Sequence, residues 1–395
     1  MDITFHTTPK LEELRHEVRS WLDAEFPAKY EGFDWDFEED PDTWAFYHAF
    51  WRKVGAKGWL EPQWEKQYGG LGYSPRQARI IKEEFDRRRV GGIVGIGMAV
   101  GPVIRRLGTP EQKDFFLNGM ARGDITWAEG YTEPDSGSDL ASLRTKAELD
   151  GDEWVINGQK TFCTAGHHCS WMIIAARTDP DYSKRHNGIS YFVAPRDSPE
   201  IELGPMYNLA GGRQNLVFID NLRVPKNRML GGLNKGWQQI WFGLGGDPIP
   251  VFEDDDNGPE TEYTPGPVGR AWLLRELVEY CKSTKRGGRL MSEDPTVRRA
   301  LAELAIGCEI EKMNGYDMSR SYGPHASQAI TKEFQPDFGQ KVYEILGPLA
   351  QLQGRDAPLH GEVDNFYRRS FGNHAGGTSQ VKRMVVATRV LGLPR

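Results

Sequence analysis

The spacing of apolar positions changes twice along the chain. Residues 11–26 and 76–89 are built from good helix formers, and Thr109-Pro110-Glu111-Gln112 supplies an N-cap, a proline at the first helical position and an acid in the first turn. A helix is predicted to follow, running through Phe115-Phe116-Leu117. Between the helices, Gly58-Trp59-Leu60-Glu61-Pro62 and Tyr68-Gly69-Gly70-Leu71-Gly72 act as punctuation. After about residue 129 the pattern shortens to that of strands. Asp150-Gly151 and Asn157-Gly158 are both tight-turn pairs enclosing Glu153-Trp154-Val155-Ile156, and locally connected short strands are expected at 171–176, 189–193 and 216–219. From Lys235 onward the helical pattern returns. Val297, Leu301, Leu304 and Cys308 fall at steps of four, three and four, which puts them on one face of a helix whose other face carries Arg298, Arg299 and Glu303.

The order helix, sheet, helix predicts an α+β fold in three regions, at 1–128, 129–234 and 235–395. It does not alternate strand and helix, and no glycine-rich fingerprint follows a strand, so a doubly wound dinucleotide fold is not expected. One segment interrupts the last region. Residues 247–267 contain Pro248, Pro250, Pro259, Pro265 and Pro267 with the acidic run Glu253-Asp254-Asp255-Asp256, which cannot propagate a helix and is expected to be a loop, either a solvated insertion or a lid.

Composition narrows the classes of function. At 395 residues the chain can form two or three packed layers. A hydrophobic share of 38% and a net charge of −7 give no general attraction to nucleic acid or an anionic membrane. There is no apolar run of the roughly 18 residues that a span needs. The start Met1-Asp2-Ile3-Thr4-Phe5-His6 lacks a basic leader and an apolar signal core, so a cytoplasmic location is expected. The four cysteines, Cys163, Cys169, Cys281 and Cys308, read as buried free thiols. His167-His168-Cys169 is placed in a strand, where adjacent histidines point to opposite faces, so no metal site is expected.

Four stretches carry candidate chemistry. Tyr131-Thr132-Glu133-Pro134-Asp135-Ser136-Gly137-Ser138-Asp139 gathers hydroxyls, turn formers and glycine at the boundary between helices and sheet. Lys160-Thr161-Phe162-Cys163-Thr164-Ala165-Gly166 follows; if it is a strand, Phe162 and Thr164 share a face, an aromatic surface beside a hydroxyl that suits a flavin ring. The third runs from Gly212-Arg213-Gln214-Asn215 to Val224-Pro225 and Asn234-Lys235-Gly236-Trp237. The last is His374-Ala375-Gly376-Gly377-Thr378-Ser379-Gln380.

In this order the four stretches resemble the acyl-CoA dehydrogenase family, over nearly the whole chain. The resemblance implies an N-terminal α-helical domain, a central β-domain and a C-terminal four-helix bundle. It also implies FAD as cofactor and an acyl-CoA substrate that loses a proton from its α-carbon and a hydride from its β-carbon. Tyr131, Thr132, Phe162, Thr164, Thr378 and Gln380 match cofactor-binding positions. Ser138 matches a contact to the CoA portion, and the main-chain N–H of Gly376 a donor to the thioester carbonyl. Phe162 replaces a frequent tryptophan, which keeps a ring face and removes the indole donor.

The catalytic base is the point of departure. Gly376 stands where the family most often has its glutamate. Some members carry the base on the first helix after the β-domain instead, and that position falls on Asp247, beside Pro248. Glu253 in the acidic loop and a partner subunit remain alternatives. Ser283-Thr284-Lys285-Arg286-Gly287-Gly288-Arg289-Leu290 also lacks the phenylalanine of a turn that reaches a neighbouring subunit's flavin. Together these departures resemble subunits of bacterial heteromeric dehydrogenases acting on bulky or steroid-derived acyl-CoAs. The resemblance thus implies a homo- or hetero-tetramer and an electron acceptor such as an electron-transfer flavoprotein. A flavin-binding partner subunit, or a same-fold flavin oxidase or monooxygenase, are the competing functions.

Overall fold

A computed structural model describes residues 8–32, 40–91, 100–207, 213–243, 251–254, 258–261, 270–313, 341–342, 344–346 and 377–394. Five helices come first: α1 (Pro9–Glu25), α2 (Pro41–Ala56), α3 (Pro75–Arg87), α4 (Gly101–Leu107) and α5 (Pro110–Ala121). Eight strands follow: β1 (Trp127–Gly130), β2 (Lys146–Asp150), β3 (Glu153–Lys160), β4 (Trp171–Arg177), β5 (Ile189–Pro195), β6 (Ile201–Tyr207), β7 (Arg213–Pro225) and β8 (Met229–Leu230). Beyond them lie α6 (Gly236–Gly243), β9 (Val251–Asp254), β10 (Gly258–Thr261), α7 (Arg270–Ser283), β11 (Lys285–Arg286), β12 (Arg289–Leu290), α8 (Pro295–Met313) and α9 (Ser379–Val385). The fold is α+β, as the change of period predicts. No helix among the described residues is long and apolar enough to cross a membrane.

The residues divide into two compact units, Phe26–Ala78 with Val90–Asp247, and Met1–Glu25 with Arg79–Arg89 and Pro248–Arg395. The first unit is built on a sheet with strand order β6-β7-β3-β2-β4-β5-β8, in which β1 pairs with β4 in parallel. One face of that sheet carries Trp127, Tyr131, Ile173, Ala175, Ile189, Tyr191 and Val193, packed with Val103 and Ile104 of α4, Phe116, Leu117 and Met120 of α5, and Ile240 of α6. The local signals for α5 hold in full. Thr109 Oγ1 accepts from the Gln112 N–H at 3.2 Å, the Gln112 side chain accepts from the Thr109 N–H at 2.9 Å, and Pro110 opens the helix.

The second unit has its own core. Val297, Leu304 and Cys308 of α8 are buried with Leu277 and Cys281 of α7 and with Val342, Ile345 and Leu346, while Leu301 packs against them half-buried. The predicted stripe is therefore the contact face of α8. Glu84 on α3 is 2% exposed by its side chain and is gripped by Arg15 and Arg19 of α1 and by Arg87. Burial alone would raise its carboxyl, but hydrogen bonds from the three guanidinium groups outweigh it and hold the group at about 2.

Three local expectations are corrected. Asp150-Gly151 does turn the chain, with Gly151 at φ 62° between paired Asp150 and Glu153. Asn157-Gly158 does not; it lies inside β3, where the register with β7 shifts between Ile156 and Gly158. Gly158 is required by close approach, since a Cβ there would sit 2.3 Å from Thr145 Oγ1 and 2.7 Å from Thr145 Cα. The strands are not all short and local either: β7 runs through 13 residues and pairs with both β3 and β6. Finally, the proline-rich segment is not loop throughout. Its described residues form the hairpin β9–β10, with Pro259 opposite Glu253, because proline bars a helix interior but is tolerated in an edge strand.

Candidate active site

β1 ends at Gly130, and the chain passes directly into the first polar stretch. There Glu133 and Ser136 exchange main-chain hydrogen bonds of 3.1 Å in both directions, closing a tight turn. The Glu133 side chain is the clamp. It accepts from the Arg144 N–H at 2.6 Å, the Thr145 N–H at 2.8 Å and Lys160 Nζ at 2.8 Å. Lys160, the last residue of β3, is 0% exposed along its side chain and also donates to the Tyr131 carbonyl at 3.2 Å. Burial lowers the Lys160 ammonium to about 8 against the opposing pull of Glu133. Burial pushes the Glu133 carboxyl up, but Lys160 and the donors from Thr145 and Arg144 outweigh that and leave it below the usual range. The pair is charged, and it ties the 131–136 turn to the sheet. No composition or spacing rule picked it out, because its burial is set by the folded sheet.

The structure places the cofactor candidates of this turn differently. The Tyr131 side chain is 8% exposed and its hydroxyl hydrogen-bonds that of Tyr191, so it belongs to the core, and what it can offer a ligand is main chain. Thr132 is half-buried, and its carbonyl accepts from the Thr161 N–H at 2.9 Å. That bond joins the first stretch to the second. Ser138 is exposed further along, while Ser136 is buried.

The second stretch is a turn, not a strand. β3 stops at Lys160, and Phe162 and Ala165 adopt φ of 58° and 50°. The left-handed conformation is costly for a bulky residue and persists because neighbours hold it. Cys163 and Asn215 exchange main-chain bonds of 3.0 Å, and the Asn215 amide adds a bond of 2.9 Å to the Cys163 carbonyl. Cys163 is thereby buried while the Phe162 ring beside it is turned outward, 48% exposed. Thr164 is half-buried, and its Oγ1 accepts from Gln214 Nε2 at 3.2 Å, which leaves the hydroxyl proton for a ligand. Thus the two residues lie on one turn rather than alternating along a strand, and Gln214 is an added partner.

His167 and His168 follow in the same turn, their rings 4.0 Å apart. They do not alternate across a strand as expected. His168 stacks on Trp44 at 3.9 Å, and the Asn215 amide meets His167 Nδ1 at 3.2 Å. Burial first, then nearby arginines, lowers His167 to about 4; burial, His167 and His48 lower His168 to about 3. Both rings are neutral at neutral pH. Cys163, Cys169, Cys281 and Cys308 are all buried free thiols, as read from their spacing.

The remaining candidates lie in the other unit or outside the described residues. Thr378 is half-buried and caps α9, its Oγ1 accepting from the Val381 N–H at 3.2 Å; Gln380, in the first turn of α9, is exposed. Asp247 and Gly376 fall outside the described residues. Glu253 is in β9. The segment from Ser283 to Leu290 closes α7 and forms the hairpin β11–β12 on Gly287 and Gly288, with φ of 59° and 84°.

Comparison with known proteins matches this geometry to a family over most of the chain. Family models for the acyl-CoA dehydrogenase N-terminal, middle and C-terminal domains match residues 8–124, 128–220 and 268–391. The chain is 31% identical over 415 residues to the acyl-CoA dehydrogenase FadE26 of Mycobacterium tuberculosis, covering 98% of each. It is 30% identical to the acyl-CoA dehydrogenase IpdE1 of the same organism, again covering 98% of each. Among solved structures, a chain of the ChsE4-ChsE5 complex from Mycobacterium tuberculosis superimposes with a TM-score of 0.82 at 29% identity over 100% of both chains. A steroid acyl-CoA dehydrogenase assembly, Tcur3481-Tcur3483, gives the same score, identity and coverage. The turn that carries Thr132, the exposed ring of Phe162 and the capping Thr378 are therefore parts of an established scaffold of oxidoreductases acting on CH–CH groups: the chain belongs to the acyl-CoA dehydrogenase family.

Proposed function

We propose that this chain catalyses the FAD-dependent α,β-dehydrogenation of a bulky acyl-CoA thioester, working in a hetero- or homo-tetramer that passes electrons to an acceptor such as an electron-transfer flavoprotein. The observation that carries the reading is an outward-facing Phe162 ring and the Thr164 hydroxyl on one hydrogen-bonded turn. This donor set fits a flavin. An exposed apolar ring face suits the flat isoalloxazine, and a hydroxyl whose lone pair is already engaged by Gln214 has its proton left to donate.

When bound, the FAD supplies the hydride acceptor for the β-carbon. This chain's residues do the rest. Phe162 and Thr164 would hold the ring, with Thr132 and the main chain of Tyr131 as further contacts; Thr378 and Gln380, on the second unit, are candidate flavin contacts. Ser138, exposed at the end of the turn, contacts the CoA portion. The Gly376 N–H donates to the thioester carbonyl, stabilising the negative charge that develops as the α-proton leaves. Asp247 takes that proton, a carboxylate being suited to the task once a closed pocket raises its proton affinity.

The test is to purify the chain with and without the product of its genomic neighbour, measure flavin content, and follow flavin bleaching by a panel of acyl-CoAs. Asp247→Asn is expected to retain FAD and acyl-CoA binding and to lose about 100-fold or more in the rate of flavin reduction. Reduction at the normal rate would move the base to Glu253 or to a partner. An assembled complex without flavin would refute the reading. Glycine at position 376 and the β11–β12 hairpin, which lacks the family's phenylalanine, favour a second reading, in which the chain is a partner subunit that completes another chain's site.

A further inference from the structure

Glu129 differs from everything around it. It shares a face of β1 with Trp127 and Tyr131, and its register partner on β4, Ile173, points the same way. Those three residues are 7%, 8% and 0% exposed and belong to the apolar layer under α4, α5 and α6. Glu129 is nevertheless exposed.

Its exposure does not come from an open sheet edge. The turn that follows β3 runs along the free side of β1: the Thr161 N–H donates to the Thr132 carbonyl at 2.9 Å, and the Cys169 thiol donates to the Trp127 carbonyl at 3.1 Å. Between those contacts the Cys163 thiol lies against the Glu129 main chain. Glu129 is thus exposed at a strand position whose main chain adjoins the residue between Phe162 and Thr164.

The carboxyl has no hydrogen-bond or ion-pair partner among the described residues. Among the described residues, the titratable groups found beside it are Tyr131, Tyr191, Cys163 and Cys169, none of them a cation. Although solvent reaches the side chain, the protein packed around it disfavours the charged form and pushes the carboxyl up to about 7. An exposed carboxyl set among apolar residues suits a neutral oxygen. As a carboxylate it accepts from a hydroxyl, as an acid it donates to a ketone, and it repels a second carboxylate.

Resting on the acyl-CoA reading, we propose that Glu129 is a specificity residue of that site, hydrogen-bonding an uncharged oxygen substituent, hydroxyl or keto, on the acyl group. The substrate class is then an oxygenated acyl-CoA rather than a plain hydrocarbon or a dicarboxylic one.

Calorimetry on the purified flavin-loaded assembly with benzoyl-CoA and with 3- and 4-hydroxybenzoyl-CoA tests this, because these thioesters have no α-hydrogen to lose. The wild-type protein is expected to prefer one hydroxylated probe by about 10-fold or more, the scale of a hydrogen bond to a charged group. Glu129→Gln should cut that ratio to below about 3-fold, most of the preference resting on the charge. Glu129→Met, similar in length, serves the same comparison if the amide variant is unstable. Equal binding of all three probes by the wild type, or a preference that survives both substitutions, overturns the proposal, including the case where only flavin reduction suffers and Glu129 acts as a base. Failure of the wild type to bind any of the CoA thioesters would instead count against the acyl-CoA reading itself.

Discussion

Lys160→Met is the most direct perturbation of the turn that carries Thr132. The substitution keeps the length and the apolar stem and removes the ammonium from a site that is 0% exposed. Glu133 then loses one of its donors but keeps the Arg144 and Thr145 amides at 2.6 and 2.8 Å, so the cost falls near the lower end for a broken buried pair, about 3 kcal/mol. Glu133→Gln is the complementary change. It leaves Lys160 with the Tyr131 carbonyl at 3.2 Å, and the lysine can escape by giving up its proton. Holding a lysine of ordinary value 10.5 neutral at pH 7 costs about 5 kcal/mol, which caps the loss. In a cooperative unit of about two hundred residues, 3 kcal/mol corresponds to a drop of roughly 6–12 °C in Tm. The double variant, with neither charge, should melt closer to the wild type than either single variant does. Thermal melts of the four proteins, with FAD content measured beside them, make the cycle. Because Lys160 and Glu133 hold the turn bearing Thr132, the single variants should also retain less flavin. Wild-type melting of both single variants, or strictly additive losses in the double, would refute a coupled buried pair.

Phe162→Ala and Thr164→Val should perturb the flavin spectrum and potential more than they lower Tm, a lost hydrogen bond being worth about 1 kcal/mol. Early melting with unchanged flavin spectra would make both residues structural instead. Glu84→Gln should destabilise the α1–α3 contact by up to about 3 kcal/mol at pH 7, from the fall of its carboxyl from 4.5 to about 2. Because the folded-state value lies below the ordinary one, that stability is complete above pH 4.5 and is lost as the pH falls toward 2. Denaturation curves measured across that interval should converge for variant and wild type at the acid end, and a constant gap would count against the assignment.

The sequence by itself determined whatever depends on neighbours a few residues away. The Thr109 cap, the proline after it, the α8 stripe from Val297 to Cys308 and the turn at Gly151 are governed by local hydrogen bonds and by the period of burial, and each is where the pattern puts it. The ordered motifs likewise carried the family, since they need residue types rather than coordinates. Tertiary structure decided what depends on distant partners. Gly158 is a glycine because Thr145 crosses it, not because the chain turns there. Phe162 leaves the extended conformation because Asn215, some fifty residues on, holds Cys163 from both sides. A buried ammonium on Lys160 needs Glu133, and a carboxyl on Glu129 that stays exposed beside buried Trp127 and Tyr131 depends on how the chain packs around β1. Burial and charge pairing are properties of the assembled chain, and residues whose roles rest on them become visible when the contacts are drawn.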